Sequence, residues 1–249
     1  MSKMLYMEQG EVMNSPKRAA RVAGALYLLL AVLNGVAEMY VRATIVERGD
    51  AAATADNVVA HATLFRLGFV ADLVGIACLL FVAMALHQLL RHVSKNAAAA
   101  MVVFSAVAVA LMCANLLNHF AALMIATDAS FATSFGPDGS DALVLMFLDL
   151  HRNGYLIAQV FFGLWLLPLG YLVRDSGWFP RSLGVLLVVG CFGYLADLVA
   201  KFLLPDLAPT LSPFVLVPAV VAELWLIACL LRNSVKKDAL PSGLAPAAA

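Results

Sequence analysis

An all-α fold, a polytopic transmembrane bundle of six helices, is what this sequence predicts, and three observations predict it. The 249 residues are 63% hydrophobic and 13% charged, against roughly 45–50% and 25% in soluble domains. The mean hydropathy is +0.91. Six apolar runs, most of them near the roughly 20 residues that cross a bilayer, follow one another with only short polar breaks between them.

The first run, 22–41, reads VAGALYLLLAVLNGVAEMYV, and the second, 67–90, ends before Arg91 and His92. The third, 97–126, begins Ala-rich. The fourth, 154–173, is GYLIAQVFFGLWLLPLGYLV; the fifth and sixth cover 182–204 and 213–231. Breaks at 134–141 (SFGPDGSD), 174–181 (RDSGWFPR) and 205–213 (PDLAPTLSP) carry the Pro and Gly that punctuate elements. Two segments on one side are more than loops. TADNVVAHATLFR (54–66) and SDALVLMFLDLH (140–151) each follow a capping residue with a helical apolar pattern, so helical extensions are expected before the second and fourth spans. Pro168 and Pro218 are expected to kink their helices.

Residues 1–19 read as a cytoplasmic N-terminal segment, 20–232 as the membrane domain, and 233–249 as a cytoplasmic tail of disordered composition. No secretory signal and no soluble domain are expected. Eleven of the 16 Lys and Arg residues, among them Lys17, Arg18, Arg91, Arg174 and Arg232, fall on the side of the termini. Arg42, Arg48, Arg66, Arg152 and Lys201 are the other five. Basic residues favour the cytoplasm, so both termini are placed inside. The formal net charge is zero, which gives nucleic acid no bulk attraction; the lipid bilayer is the expected partner.

The stretch FLDLHRNGY (147–155) sits at the outer mouth of the fourth span, because the 20 residues from Gly154 cross unaided. Other polar groups gather at the same level. Asn34 and Glu38 are four apart; Asp72 lies six residues past Arg66; Asn115, Asn118 and His119 form an i, i+3, i+4 set; Asp197 and Lys201 are spaced for an ion pair. Glu223 is the deepest. An unpaired charge in a span costs about 2.5–3.5 kcal/mol, so such groups turn toward the bundle interior or a wet cavity. Five acids (Glu38, Asp72, Asp149, Asp197, Glu223) face three bases (Arg66, Arg152, Lys201), an excess of two. With Asn118, His119 and His151 these form the candidate site, a polar hollow open to the outside. Interfacial snorkelling and local pairs are the plainer account of any one of these residues.

No phosphate loop, GxSxG elbow, HExxH or dinucleotide fingerprint is present, and no cofactor is named. His61, eleven residues before Asp72, is expected on the same face. A metal site assembled from His61, His119 and His151 with Asp72 or Asp197 would leave no local spacing. Cys78, Cys113, Cys191 and Cys229 form no CxxC and are expected to pack between helices. GFVADLV (68–74) and GYLADLV (193–199) lie at one level rather than as an inverted repeat.

ARVAGALYLLL (20–30), GDAAATADN (49–57), FRLGFVADL (65–73), NLLN (115–118), FLDLHRNGY, FFGLWLLPLGYL (161–172) and SGWFPRSLGVLLVVGCFGYLADL (176–198) together resemble the bacterial domain-of-unknown-function family 4386. The resemblance spans residues 20 to 232 and implies a small inner-membrane protein of about six helices. It brings no activity and no catalytic residue.

Three functions fit these features. One is binding or moving a small cation, proton or polar solute, with a homo-oligomer supplying what six helices lack as a transporter. The second is an intramembrane enzyme, metal-dependent or acid–base, acting near the outer leaflet through Asp149, His151 and Asp72. The third is an accessory or sensor protein. The acid excess and the missing catalytic signature favour the first.

Overall fold

The computed structural model describes residues 16–232, all-helical apart from short connections. The expected N-terminal segment, up to residue 15, and the tail from residue 233 lie outside the described residues.

Helix α1 (Pro16–Val36) continues through a π-helical turn, Ala37–Arg42, into a last turn at Ala43–Ile45. Helix α2 (Ala51–Ala60) follows, capped by the Asp50 carboxylate, which accepts from the Ala53 N–H at 2.9 Å. Helices α3 (Ala62–Leu90) and α4 (Lys95–Thr127) are joined by a tight turn, with Ser94 capping α4. A short α5 (Ala129–Phe135), capped by Asp128, precedes α6 (Pro137–Leu164) and α7 (Leu166–Asp175). Helices α8 (Arg181–Leu203) and α9 (Ala208–Leu231) complete the chain. Among the described residues, six stretches are long and apolar enough to cross a membrane: Lys17–Ile45, Ala62–Leu90, Lys95–Thr127, Pro137–Asp175, Arg181–Leu203 and Ala208–Leu231.

The expected extensions are present, with different starts. The first begins at Asp50 rather than at Thr54, and a break at His61 separates it from the span. The second begins at Pro137, a good first helical residue because its missing N–H has no partner there anyway. The Gly136 before it takes φ +76°, a conformation glycine adopts at little cost. Pro168 has no N–H to give the carbonyl of residue 164, and the helix is interrupted at Trp165. Around Pro213 and Pro218, by contrast, α9 stays helical without interruption.

Each span packs on the next, and α9 returns to α1, which closes a ring. Residues 91–94 and 176–180 lie with both ends of the described chain at one end of the bundle; residues 46–50, 128–136 and 204–207 lie at the other, called the mouth here. The main core fills the terminal end, with Tyr27, Leu86, Trp165, Leu172, Leu183 and Leu230 all buried. A second core at the mouth seats α2 through Val58 against Phe65, Ala122 and Val144. Large apolar side chains such as Phe81, Val103, Phe192 and Leu224 face outward, as lipid-facing residues do. Cys78, Cys191 and Cys229 are buried, whereas Cys113 is exposed on the outer surface of α4 and does not pack between helices.

Backbones come into close contact where α7 crosses α8. A Cβ on Gly184 would lie 2.6 Å from the Arg174 nitrogen, and one on Gly170 would lie 2.6 Å from the Gly184 carbonyl oxygen. Small residues permit such approach between membrane helices.

Candidate functional site

The first span leaves α geometry just where it reaches the polar level. A π turn carries one residue more than an α turn and tends to occur where a side chain must be re-aimed. Its last residue, Arg42, donates from Nε to Glu38 Oε2 at 2.6 Å and from Nη1 to Asp72 Oδ2 at 2.6 Å. A longer contact of 3.4 Å joins Nη2 to Asp72 Oδ1. The Arg42 and Asp72 side chains are only 13% and 9% exposed, so the Asp72 charge depends on Arg42 for compensation.

Behind Asp72 stand two imidazoles. His119 on α4 is fully buried, stacked on Phe65 with ring centroids 3.9 Å apart and edge-on to His151 at 5.5 Å. Its Nε2 lies 3.2 Å from the Phe65 carbonyl, and its Nδ1 is buried with no partner. His151 Nδ1 lies 3.3 Å from the Asn115 carbonyl. The Asn115 amide donates to the His151 carbonyl at 2.7 Å and accepts from Asn118 at 3.0 Å. That lock depends on Gly154, where any Cβ would collide with the Asn115 side chain. One nitrogen of each imidazole and one Asp72 oxygen lie within 4.8 Å of one another.

On the facing side, Asp197 is fully buried and accepts from Gln159 and Lys201, each at 2.9 Å. Its second oxygen has the Ser212 hydroxyl as neighbour, and both atoms are buried with no other partner. Deeper, Glu223 accepts from the phenols of Tyr27 and Tyr194, both at 2.9 Å.

A cleft of about 670 Å³ runs inward from the mouth between these groups. Arg48, Arg152 and Pro205 line its entrance; Asn34, Asp72 and Gln159 line its inner part. A second cavity, of about 580 Å³, lies beside Pro168 and is almost wholly apolar.

Of the residues expected at the site, Glu38, Asp72, Asp149, His151, Arg152 and Lys201 line the cleft. His119 and Asn118 stand behind it, holding or facing its wall. Asp197 sits under Lys201, and Glu223 belongs to a separate buried knot with its two tyrosines. Arg152 and Asp149 pair at 3.0 Å, half-exposed at the mouth. Arg66 and His61 are exposed and do not line the cleft. Six residues are not a whole number of 3.6-residue turns, so Arg66 leaves α3 on a different side from Asp72. Eleven residues nearly are, but the helix breaks at His61, and the face it should share with Asp72 is lost. Among the described residues, no cleft-lining side chain comes from the third span, and the sixth contributes Ser212 rather than Glu223.

Arg42 is the residue that sequence reasoning missed. Counted as an interfacial base, it reaches back through the π turn to become the main partner of Asp72. Tyr27, Gln159 and Tyr194 were also missed, because single polar tips inside apolar runs give no periodic signal. Tyr27 and Tyr194 are each within a helix whose opposite neighbour holds an acid, which only the packing reveals.

The family model described as "Domain of unknown function (DUF4386)" matches residues 22–233. A protein of Archaeoglobus fulgidus, named "Uncharacterized protein", is 34% identical over 121 residues, which are 49% of this chain and 59% of that relative. The match thus spans less than two thirds of the relative's length. No solved structure matches.

Proposed function

This chain belongs to the DUF4386 family, and from that premise we propose that it is a multi-pass membrane protein that binds, or moves, a small cation or polar solute in the cleft. The supporting observation is the lining of that cleft. Carboxylates and cations from four spans, Glu38 and Arg42, Asp72, Asp149 and Arg152, and Lys201, with the Ser212 hydroxyl from a fifth, face one space of about 670 Å³. Burying charge at this depth is costly, and ionic groups that only stabilised the bundle would have no need of a shared hollow. Acids and bases together on the lining suit a solute that carries both signs, or a cation with its counter-ion.

Both termini are assigned to the cytoplasm, from the bias of Lys and Arg toward the terminal end, so the cleft opens outward from a bacterial inner membrane. Cysteines placed singly at Asp206 and Lys95 in a cysteine-free background test this. Only the first should react with an impermeant maleimide added to intact cells.

Native mass spectrometry of the detergent-purified chain tests the binding itself. A small molecule or ion should accompany the protein besides lipid, and Lys201→Met with Arg152→Met should abolish it. Protein and lipid alone would refute the reading. A metal-dependent or acid–base enzyme is the second reading, favoured by the closeness of Asp72, His119 and His151.

A further inference from the structure

We propose that Asp72, His119 and His151 are the protein ligands of one divalent first-row transition-metal ion, with an open coordination position toward the cleft. The inference shares Asp72 and His151 with the cleft but does not require any solute to enter it.

Three observations carry it. The donor atoms come from three different spans, α3, α4 and α6, and converge to within 4.8 Å. Ligand bonds of about 2.0–2.2 Å then need a contraction of roughly 1 Å, within the reach of side-chain rotation. Secondly, each imidazole has one nitrogen against a backbone carbonyl, His119 Nε2 on Phe65 and His151 Nδ1 on Asn115. A carbonyl only accepts, so on His119 the proton sits on Nε2 and the lone pair on Nδ1; His151 Nδ1 has both the Asn115 carbonyl, at 3.3 Å, and the Asn115 amide nitrogen, at 3.4 Å, beside it, which holds the ring in place with Nε2 left over. Metal-bound histidines are oriented in this way by their outer partners. Thirdly, the nitrogen left over on His119, Nδ1, is fully buried and has no hydrogen bond. A buried polar atom without a partner costs free energy, and a metal ion would satisfy it.

The donor set narrows the ion. Two imidazoles and one carboxylate suit Zn²⁺, Fe²⁺ or Co²⁺ and not Mg²⁺ or Ca²⁺, which take oxygen ligands. Three protein ligands leave a position for water or substrate. Asp72 is now held by Arg42, and Arg42 has a second carboxylate, Glu38, on the same guanidinium. An ion that takes one Asp72 oxygen leaves Arg42 paired with Glu38, so Arg42 competes with the metal.

The test uses the full chain in detergent, stripped with chelator and titrated with Co²⁺ alone. About one ion per chain should bind, with visible d–d absorption of a low-symmetry site. Asp72→Asn and His151→Gln should each weaken binding at least about 100-fold, since even an outer-shell change costs about 10–100-fold. His61→Gln and His87→Gln should not change it. Arg42→Gln should tighten it about tenfold, the scale of a charged hydrogen bond removed from Asp72. Folded wild-type protein without stoichiometric Co²⁺ would overturn the proposal. So would Asp72→Asn and His151→Gln proteins that bind as tightly as wild type, which would mark an adventitious ion only. Should those two variants aggregate, Arg42→Gln decides, because it keeps all three ligands: unchanged or weaker binding there also overturns the site.

Discussion

Arg42 and Asp72, thirty positions apart, meet at 2.6 Å and tie the first span to the second at the polar level of the bundle. The contact exists because the first span changes from α to π geometry over its last turns. An unbroken α-helix would carry Arg42 to another face.

Removing Arg42 leaves the Asp72 charge nearly buried, so Arg42→Ala should destabilise the protein by about 3–5 kcal/mol; Asp72→Ala should cost less, because Arg42 keeps Glu38. The double variant should cost clearly less than the sum. A double-mutant cycle on thermal unfolding in detergent reads the coupling, and simple additivity would show that the two side chains act independently.

Two phenols hold Glu223. Loss of either, as Tyr27→Phe or Tyr194→Phe, should cost about 1–3 kcal/mol, the range for a hydrogen bond to a charged or buried acceptor. In a Glu223→Leu background the same changes should cost much less, because the acceptor is gone. Equal costs in both backgrounds would place the tyrosines' contribution in packing alone.

Close approach of α7 and α8 leaves no room at Gly170 or Gly184. Alanine at either position should cost about 1–3 kcal/mol through overpacking against backbone that has no rotamer to yield. Gly35 has open space beside it, so Gly35→Ala should be neutral or slightly stabilising. Comparison of the three melting temperatures checks the point.

Asp128, outside the spans, caps α5 by accepting from the Ser130 N–H at 2.9 Å, and that backbone bond holds its carboxyl below the ordinary carboxylate range. A carboxyl whose native pKa is depressed stabilises the fold above its unfolded value, near pH 4, and loses that contribution as pH falls through the native midpoint. NMR titration of Asp128 should give a midpoint under 3.8; a midpoint above that would mean the cap does not hold in solution.

The number and order of the spans and the local pairs were legible in the sequence because hydropathy and i, i+4 spacing are local. The Asp197–Lys201 and Asp149–Arg152 pairs lie where their spacing puts them, and the Pro168 interruption is written in one residue. Relations across a break were not legible. His61 fails because phase cannot be counted through a disrupted turn, and Arg66 fails because distance along the axis says nothing of direction around it. Arg42 needed the π turn, which no hydrophobic period announces. The convergence of Asp72 with His119 and His151 depends on how three helices rotate against one another, and that is set by packing.

The greasy half of the ring has a consequence for traffic. Trp165, Leu172, Leu183 and Leu230 are fully buried at the terminal end and none of them lines the cleft, so the polar hollow ends above a packed apolar floor. Passage to the far compartment would have to open that core, and at Gly170 and Gly184, where the backbones of α7 and α8 meet, no side chain is present to yield.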